Sequence, residues 1–350
     1  MFYDTSLCLW FLIEGYQVLS IIVEVTDLTK RFNEEVLAVD NISFTVNEGE
    51  VFGFLGPNGA GKTTTINILT TLLRPTSGKA VILGMDVSKK QDEVRKAIGL
   101  VPQELTVDDE LSGRENMYLQ ADLYNVPRGE AQKRIDELLE LVGLEDSADR
   151  RVKTYSGGMR KRLELAEGLI HRPRVLFLDE PTLGLDIQTR TAIWEYIRDL
   201  RKSTNITVFL TTHYLEEADE LCDRIAIIDH GKIVALDTPE MLKQSVGGDV
   251  LSVGTALDKD LTAELKSVSN VVDVKREGEV YRIKAMNGEV ATPLVLNTIW
   301  NHGGVVTSVS LSRPTLDQAF LEYTGRSMRD AEQAGTFDKR AAARALRRRS

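Results

Sequence analysis

Eight residues, GPNGAGKT (Gly56–Thr63), have the types and spacing of a loop that wraps phosphate. Glycines let backbone N–H groups close around phosphate oxygens without Cβ clashes. Gly56, Pro57, Asn58, Gly59, Ala60 and Gly61 form the cradle. Lys62 is expected to reach the β- and γ-phosphates, and Thr63, followed by Thr64, to bring a hydroxyl to Mg2+. A short apolar strand, VFGFL (Val51–Leu55), precedes the loop, and a helical run, Lys62–Leu73, follows it. The helix start then faces the anion with its positive end.

Two carboxylates end VLFLDE (Val175–Glu180). The apolar run suits a buried parallel strand. Its C-terminal end is where open α/β sheets place ligands. Asp179 is expected in the metal shell. Glu180 is expected to orient or deprotonate a water facing the γ-phosphate. Pro181 stops the strand. His213 follows another strand-like run, ITVFLT (Ile206–Thr211), so it falls on the same edge. Its ring can donate a hydrogen bond to γ-phosphate. His171, His230 and His302 lack that context and are expected to be structural or on the surface.

A third stretch, YSGGMRKRLELAEGLI (Tyr155–Ile170), begins a helix with a serine, two glycines and three cations. Met159, Leu163, Ala166 and Ile170 fall at helical spacing and should be buried. The Ser156 hydroxyl and the N–H groups of Gly157 and Gly158 are then expected to point outward. Cations at the positive end of a helix are unfavourable without an anion. Arg160, Lys161 and Arg162 are therefore expected to join Ser156–Gly158 in a second phosphate site. One small domain cannot easily enclose a triphosphate with two such sites. The inference is a sandwich, in which Ser156–Gly158 of one subunit closes over nucleotide held by Gly56–Thr63 of another.

The organisation of the chain supplies the elements these residues need. Its 350 residues, 42% hydrophobic and 27% charged, suit a soluble globular protein of two domains. A net charge of −10 argues against polyanion binding as the main function, and no nucleic-acid partner is expected. Cys8 and Cys222 offer neither metal spacing nor a disulfide framework, which fits a reducing cytoplasm. No apolar run reaches the ~20 residues that cross a bilayer. The run Leu7–Ile13 lacks a basic flank. It reads either as a membrane-surface contact or as an extra leader ahead of the fold. Residues 1–20 are thus expected to be an N-terminal extension. Residues 21–246 read as a nucleotide-binding α/β domain, with an acidic, helical insertion at about 104–165. Gly247–Gly248 marks a boundary. Residues 249–326 alternate strands and helices, ending in TLDQAFLEYTG, and suit a small α+β, ferredoxin-like domain. Residues 327–350 are Ala/Arg-rich and are expected to fray. They could touch anionic lipid or simply be solvated.

Together these motifs resemble the ATPase subunit of ATP-binding-cassette (ABC) transporters. The order matches from about Ile21 to Ser245: P-loop, glutamine loop, signature, Walker B, D-loop and histidine switch. The resemblance implies a P-loop NTPase (RecA-like) core with an antiparallel β subdomain. It also implies that Phe32 in TKRF stacks on adenine, and that Gln103 in VPQE touches Mg2+ and senses a membrane partner. Ser156, Gly157 and Gly158 match the signature. Asp186 in LGLD matches an aspartate that lies across a dimer interface. Tyr155 and Met159 depart from the commonest signature, which has leucine and glutamine there. The YSGGM variant and the ending RPTLDQAFLEYTG resemble the daunorubicin-resistance type of exporter ATPase. ATP and Mg2+ are the implied ligands. The implied partners are an integral membrane permease and a second copy or a paralogue. The implied location is peripheral, on the cytoplasmic face of the membrane. A soluble cassette ATPase of cluster-assembly type is the alternative. A P-loop kinase or GTPase is disfavoured by the SGG helix and by LDEPT.

Overall fold

The computed structural model describes residues 20–32, 36–257 and 259–332. The run Leu7–Ile13 and most of the basic tail lie outside them. β1 (Ile21–Arg31) and β2 (Leu37–Asn47) pair antiparallel; β1 buries Ile22, Val23, Val25 and Leu28, and β2 buries Val39, Ile42, Phe44 and Val46. β3 (Val51–Leu55) is buried at every position, as a central strand requires. The phosphate loop leads from it into α1 (Lys62–Leu69). That helix stops short of the expected Leu73, because Thr71 takes a left-handed φ of 68°. β4 (Ser77–Ile82) and β5 (Met85–Asp86) complete an antiparallel sheet of order β2-β1-β4-β5.

α2 (Gln91–Ala97) precedes β6 (Ile98–Val101). The expected helical insertion then appears as α3 (Gly113–Leu123), α4 (Arg128–Leu141) and α5 (Gly157–Leu169). Ser112 starts α3 with a capping box to Glu115. Met117, Ile135, Leu139, Leu163 and Ala166 give the insertion a core of its own. The chain returns through β7 (Val175–Asp179), α6 (Ile187–Thr204), β8 (Thr207–Thr212) and α7 (Leu215–Leu221). The hairpin β9 (Arg224–Asp229) and β10 (Lys232–Asp237) turns at His230–Gly231, both with positive φ. Thr238 caps α8 (Pro239–Ser245), with proline at the first helical position. The central sheet runs β10-β9-β3-β8-β7-β6, parallel except at the β10 edge. Its register sets Leu55 beside Thr212, and Asp179 beside Thr211. The ends of β3, β8 and β7 thus meet at one edge.

Beyond α8 the order is β11 (Asp249–Thr255), α9 (Thr262–Lys266), β12 (Val271–Glu277), β13 (Val280–Ala285), α10 (Gly288–Asn301) and β14 (Val306–Ser312). The sheet order β12-β13-β11-β14, antiparallel throughout, is the ferredoxin-like arrangement. Leu251, Val253, Tyr281, Ile283, Val295 and Ile299 form its core. α11 (Leu316–Thr324), which the sequence groups with this unit, packs instead on α7 and α8. Its apolar stripe, Leu316, Ala319 and Phe320, joins the core that holds Leu221 and Leu242. Arg326 and residues 327–332, the latter expected to begin a fraying tail, are held as well. Met328 is buried in the same core, and Arg326 donates to Asp229 (2.7 Å) and to the His230 ring (2.8 Å).

Candidate functional site

The phosphate loop is shaped by its neighbours. Gly61 has φ 109°, and a Cβ there would lie 2.4 Å from the Ala38 carbonyl oxygen, so only glycine fits. The loop is tied to the end of β8 by Gly56 N–H to Thr212 O (3.2 Å), and to the β9–β10 turn by Gly231 N–H to Ala60 O (3.0 Å). Asn58, Gly59 and Thr63 face solvent, while Lys62 is buried. The Lys62 ammonium donates to Gly56 O (2.6 Å) and Pro57 O (3.2 Å) and pairs with Glu180 Oε1 at 3.0 Å.

Glu180 lies one residue beyond β7 with φ 47°, a left-handed conformation that costs a non-glycine residue energy. Its N–H donates to Thr211 O and Thr211 Oγ1, both 3.1 Å, which hold the turn. Its Oε2 faces His213 Nδ1 at 3.1 Å. Burial drives the Glu180 carboxyl upward. The His213 hydrogen bond and the Lys62 charge outweigh that and bring it to about 2. Asp179 moves the other way: burial raises it, against hydrogen bonds from Thr211 and Thr63 that lower it. Thr211 Oγ1 donates to Asp179 Oδ1 at 2.5 Å. Lys62, Thr63, Asp179, Glu180 and His213 therefore form one contiguous constellation. Thr211 organises both carboxylates, and sequence reasoning missed it. Its signal, the first threonine of TTH, becomes legible only once β8 is known to lie beside β7.

Ser156 caps α5, its hydroxyl accepting from Met159 N–H at 3.2 Å, and Ser156 and Gly157 are exposed. Gly158 is not: it packs on the start of α6, where a Cβ would lie 2.3 Å from Thr189 Cγ2. Leu163, Ala166 and Ile170 are buried as expected, and Met159 packs at the margin. The expected role of the basic turn is overturned. Arg160 pairs with Asp109 (3.4 Å), and Arg162 donates to Val142 O (2.7 Å) and Tyr196 Oη (3.0 Å). Lys161 is buried and donates to Pro102 O (2.8 Å). The anions and dipoles that compensate these cations come from the same chain. Tyr155 fills a core position and donates to Ser147 O (2.6 Å), which anchors the segment before the serine.

Three expected site residues stand apart from the constellation. Gln103 is exposed on the loop after β6 and makes no hydrogen bond to Thr63 or Asp179. Phe32 is 56% exposed at the end of β1, with Lys30 Nζ 5.2 Å from its ring centroid, so a stacking face is open to a ligand. Asp186 caps α6, accepting from Thr189 N–H (2.9 Å) and Thr189 Oγ1 (2.7 Å). His171 and His302 bond to backbone carbonyls, Ile98 O and Thr298 O, as structural histidines do.

A buried lysine held at one strand end by the carboxylate of another, able to exchange it for phosphate, is the arrangement of a P-loop nucleotide hydrolase. The ABC transporter family model matches residues 39–183. A second, for the C-terminal domain of DrrA1-3-like ATP-binding proteins, matches residues 238–324. The daunorubicin resistance ATP-binding protein DrrA2 of Streptomyces coeruleorubidus is 43% identical over 323 residues, covering 91% of this chain and 98% of the relative. The linearmycin resistance ATP-binding protein LnrL of Bacillus subtilis is 36% identical, covering 88% of this chain and all of the relative. Among solved structures, CbiO1 of Clostridium perfringens, part of the transporter complex CbiONQ, has a TM-score of 0.60 at 28% identity. It covers 65% of this chain and 93% of its own. The dimeric ATP-binding cassette MJ0796 bound to ADP and Pi has a TM-score of 0.56 at 28% identity, covering 62% of this chain and 98% of its own. The chain belongs to the ABC transporter ATP-binding proteins, in the daunorubicin-resistance group, and is a transport ATPase.

Proposed function

We propose that this chain hydrolyses ATP as a peripheral subunit at the cytoplasmic face of a membrane, driving export through a separate permease. The observation that carries the reading is the Lys62–Glu180–His213 cluster at the meeting of β3, β7 and β8. Both Glu180 oxygens are engaged there. Transfer of Lys62 to a phosphate frees Oε1 to accept from a water, while His213 holds Oε2 in place. The negative charge retained by Glu180 suits it to orienting that water. Preorganised N–H groups of the loop stabilise charge on the departing phosphates. The donor set also fits Mg2+: a hydroxyl, Thr63, hydrogen-bonded to one carboxylate, Asp179, with phosphate oxygens to supply the rest. When bound, Mg2+ would act as a Lewis acid on phosphate oxygens.

In this reading two copies, or one copy and a paralogue, face each other, and Ser156–Gly158 of one completes the site of the other. Among the described residues no helix is long and apolar enough to cross a membrane. The relatives' names, daunorubicin and linearmycin resistance, support export rather than import. A groove between the core and the helical insertion, lined by Thr70, Leu72, Ile98, Leu100, Leu123 and Tyr124, suits a permease helix. Leu72 and Leu123 are 64% and 68% exposed there. Titration calorimetry and turnover of Glu180→Gln test the site. ATP affinity is expected within about threefold of wild type, with turnover lower by about a hundredfold or more. Turnover near wild type would refute the assignment.

A further inference from the structure

Two buried charges on the signature helix take no part in the constellation above. Lys161 and Glu164 lie one turn apart on α5 and pair at 3.1 Å, with side chains 6% and 1% exposed. An apolar pair would fill this place without the cost of burying charge. What the charges add is a grip on one loop. Lys161 Nζ donates to Pro102 O at 2.8 Å, and Glu164 Oε1 accepts from Thr106 N–H at 2.6 Å and Thr106 Oγ1 at 3.1 Å. These contacts bracket Gln103, Glu104 and Leu105, which are exposed. The three residues form an arch with both feet on the helix that starts at Ser156. Gly168, further along α5, packs against Val101 at the end of β6, so the helix also follows the strand the arch leaves.

We propose that Lys161 and Glu164 are positioning residues that make the Gln103 arch and the Ser156–Gly158 helix a single moving part. A displacement of the arch, from whatever touches its exposed crest, then carries the signature toward or away from nucleotide. The proposal rests on Ser156–Gly158 being the element that closes over phosphate.

The test replaces the pair by apolar residues of similar size, Lys161→Met with Glu164→Leu, which leaves no unpaired buried charge. Hydrogen exchange of residues 102–106 and steady-state kinetics with Mg-ATP are read together. Exchange at Thr106 is expected to rise about tenfold or more while β3 and β7 keep their protection. kcat is expected to fall about tenfold with KM within about twofold, since the nucleotide-holding loop is untouched. Thr106→Pro, on the exposed loop, removes the same N–H without entering the core and should lower kcat alike. Glu164→Gln keeps an acceptor for Thr106 and should retain most of the protection. Unchanged exchange at 102–106, or faster exchange with wild-type kcat, overturns the proposal. Ser156→Ala separates the two levels. If it loses turnover where the double variant does not, the tether alone is wrong; if it too keeps full turnover, the closing role of Ser156–Gly158 is what fails.

Discussion

Glu180 meets three demands at once: a strained backbone, a buried carboxylate and two cationic or hydrogen-bonding neighbours. The strain is held by Thr211, whose carbonyl and hydroxyl both take the Glu180 N–H and whose hydroxyl also bonds Asp179. Thr211→Val keeps the shape and removes the hydroxyl. Turnover should drop roughly 10- to 100-fold, with ATP affinity changing less. A variant with full turnover would show that the hydroxyl positions neither carboxylate. Lys62→Ala should instead weaken ATP binding itself; unchanged affinity by calorimetry would contradict its phosphate role. Elsewhere on α5, burial and the neighbouring Glu164 charge push Glu167 up to about 8, from an ordinary value of 4.5. The folded protein therefore binds more protons than the unfolded chain between those values, and stability falls as pH rises from 4.5 to 8. The loss is on the order of 5 kcal/mol at most. Glu167→Gln should raise the thermal midpoint at pH 8.5 by more than at pH 5. An equal rise at both would contradict the shift. At this scale Lys62, Asp179, Glu180 and His213 were legible, because each ends a recognisable strand or loop. Thr211 and the Lys161–Glu164 pair were not, because their partners lie more than thirty residues away in the chain.

At the level of elements, periodicity found α5 and its buried face, but misjudged its first turn. Arg160, Lys161 and Arg162 looked like a response to phosphate. Their compensation instead comes from Asp109, Pro102 and Val142, none of them local in sequence. The structure also explains Tyr155, the departure at the start of the signature. Its ring lies in the core of the helical insertion, and its hydroxyl holds Ser147 O. Tyr155→Phe should cost about 1 kcal/mol of stability by chemical denaturation and leave ATP affinity alone. A loss of ATP affinity would place Tyr155 in the nucleotide site instead. α11 follows a similar lesson. The segment TLDQAFLEYTG was visible, but nothing in it said which core its Leu316, Ala319 and Phe320 would join.

For the whole molecule, the ferredoxin-like unit was legible from alternating segments, and the α/β core from apolar strands that end in polar loops. The relation between protomers was an inference from chemistry: two phosphate-binding elements, one triphosphate. The structure is compatible with it, since Ser156 and Gly157 are exposed while the body of α5 packs on α3, α4, α6 and β6. The most direct measurement is the mass in solution of Glu180→Gln with and without ATP, repeated with Ser156→Arg added. A dimer is expected only when ATP is present and Ser156 is intact. A monomer with ATP, or a dimer indifferent to Ser156→Arg, would contradict it.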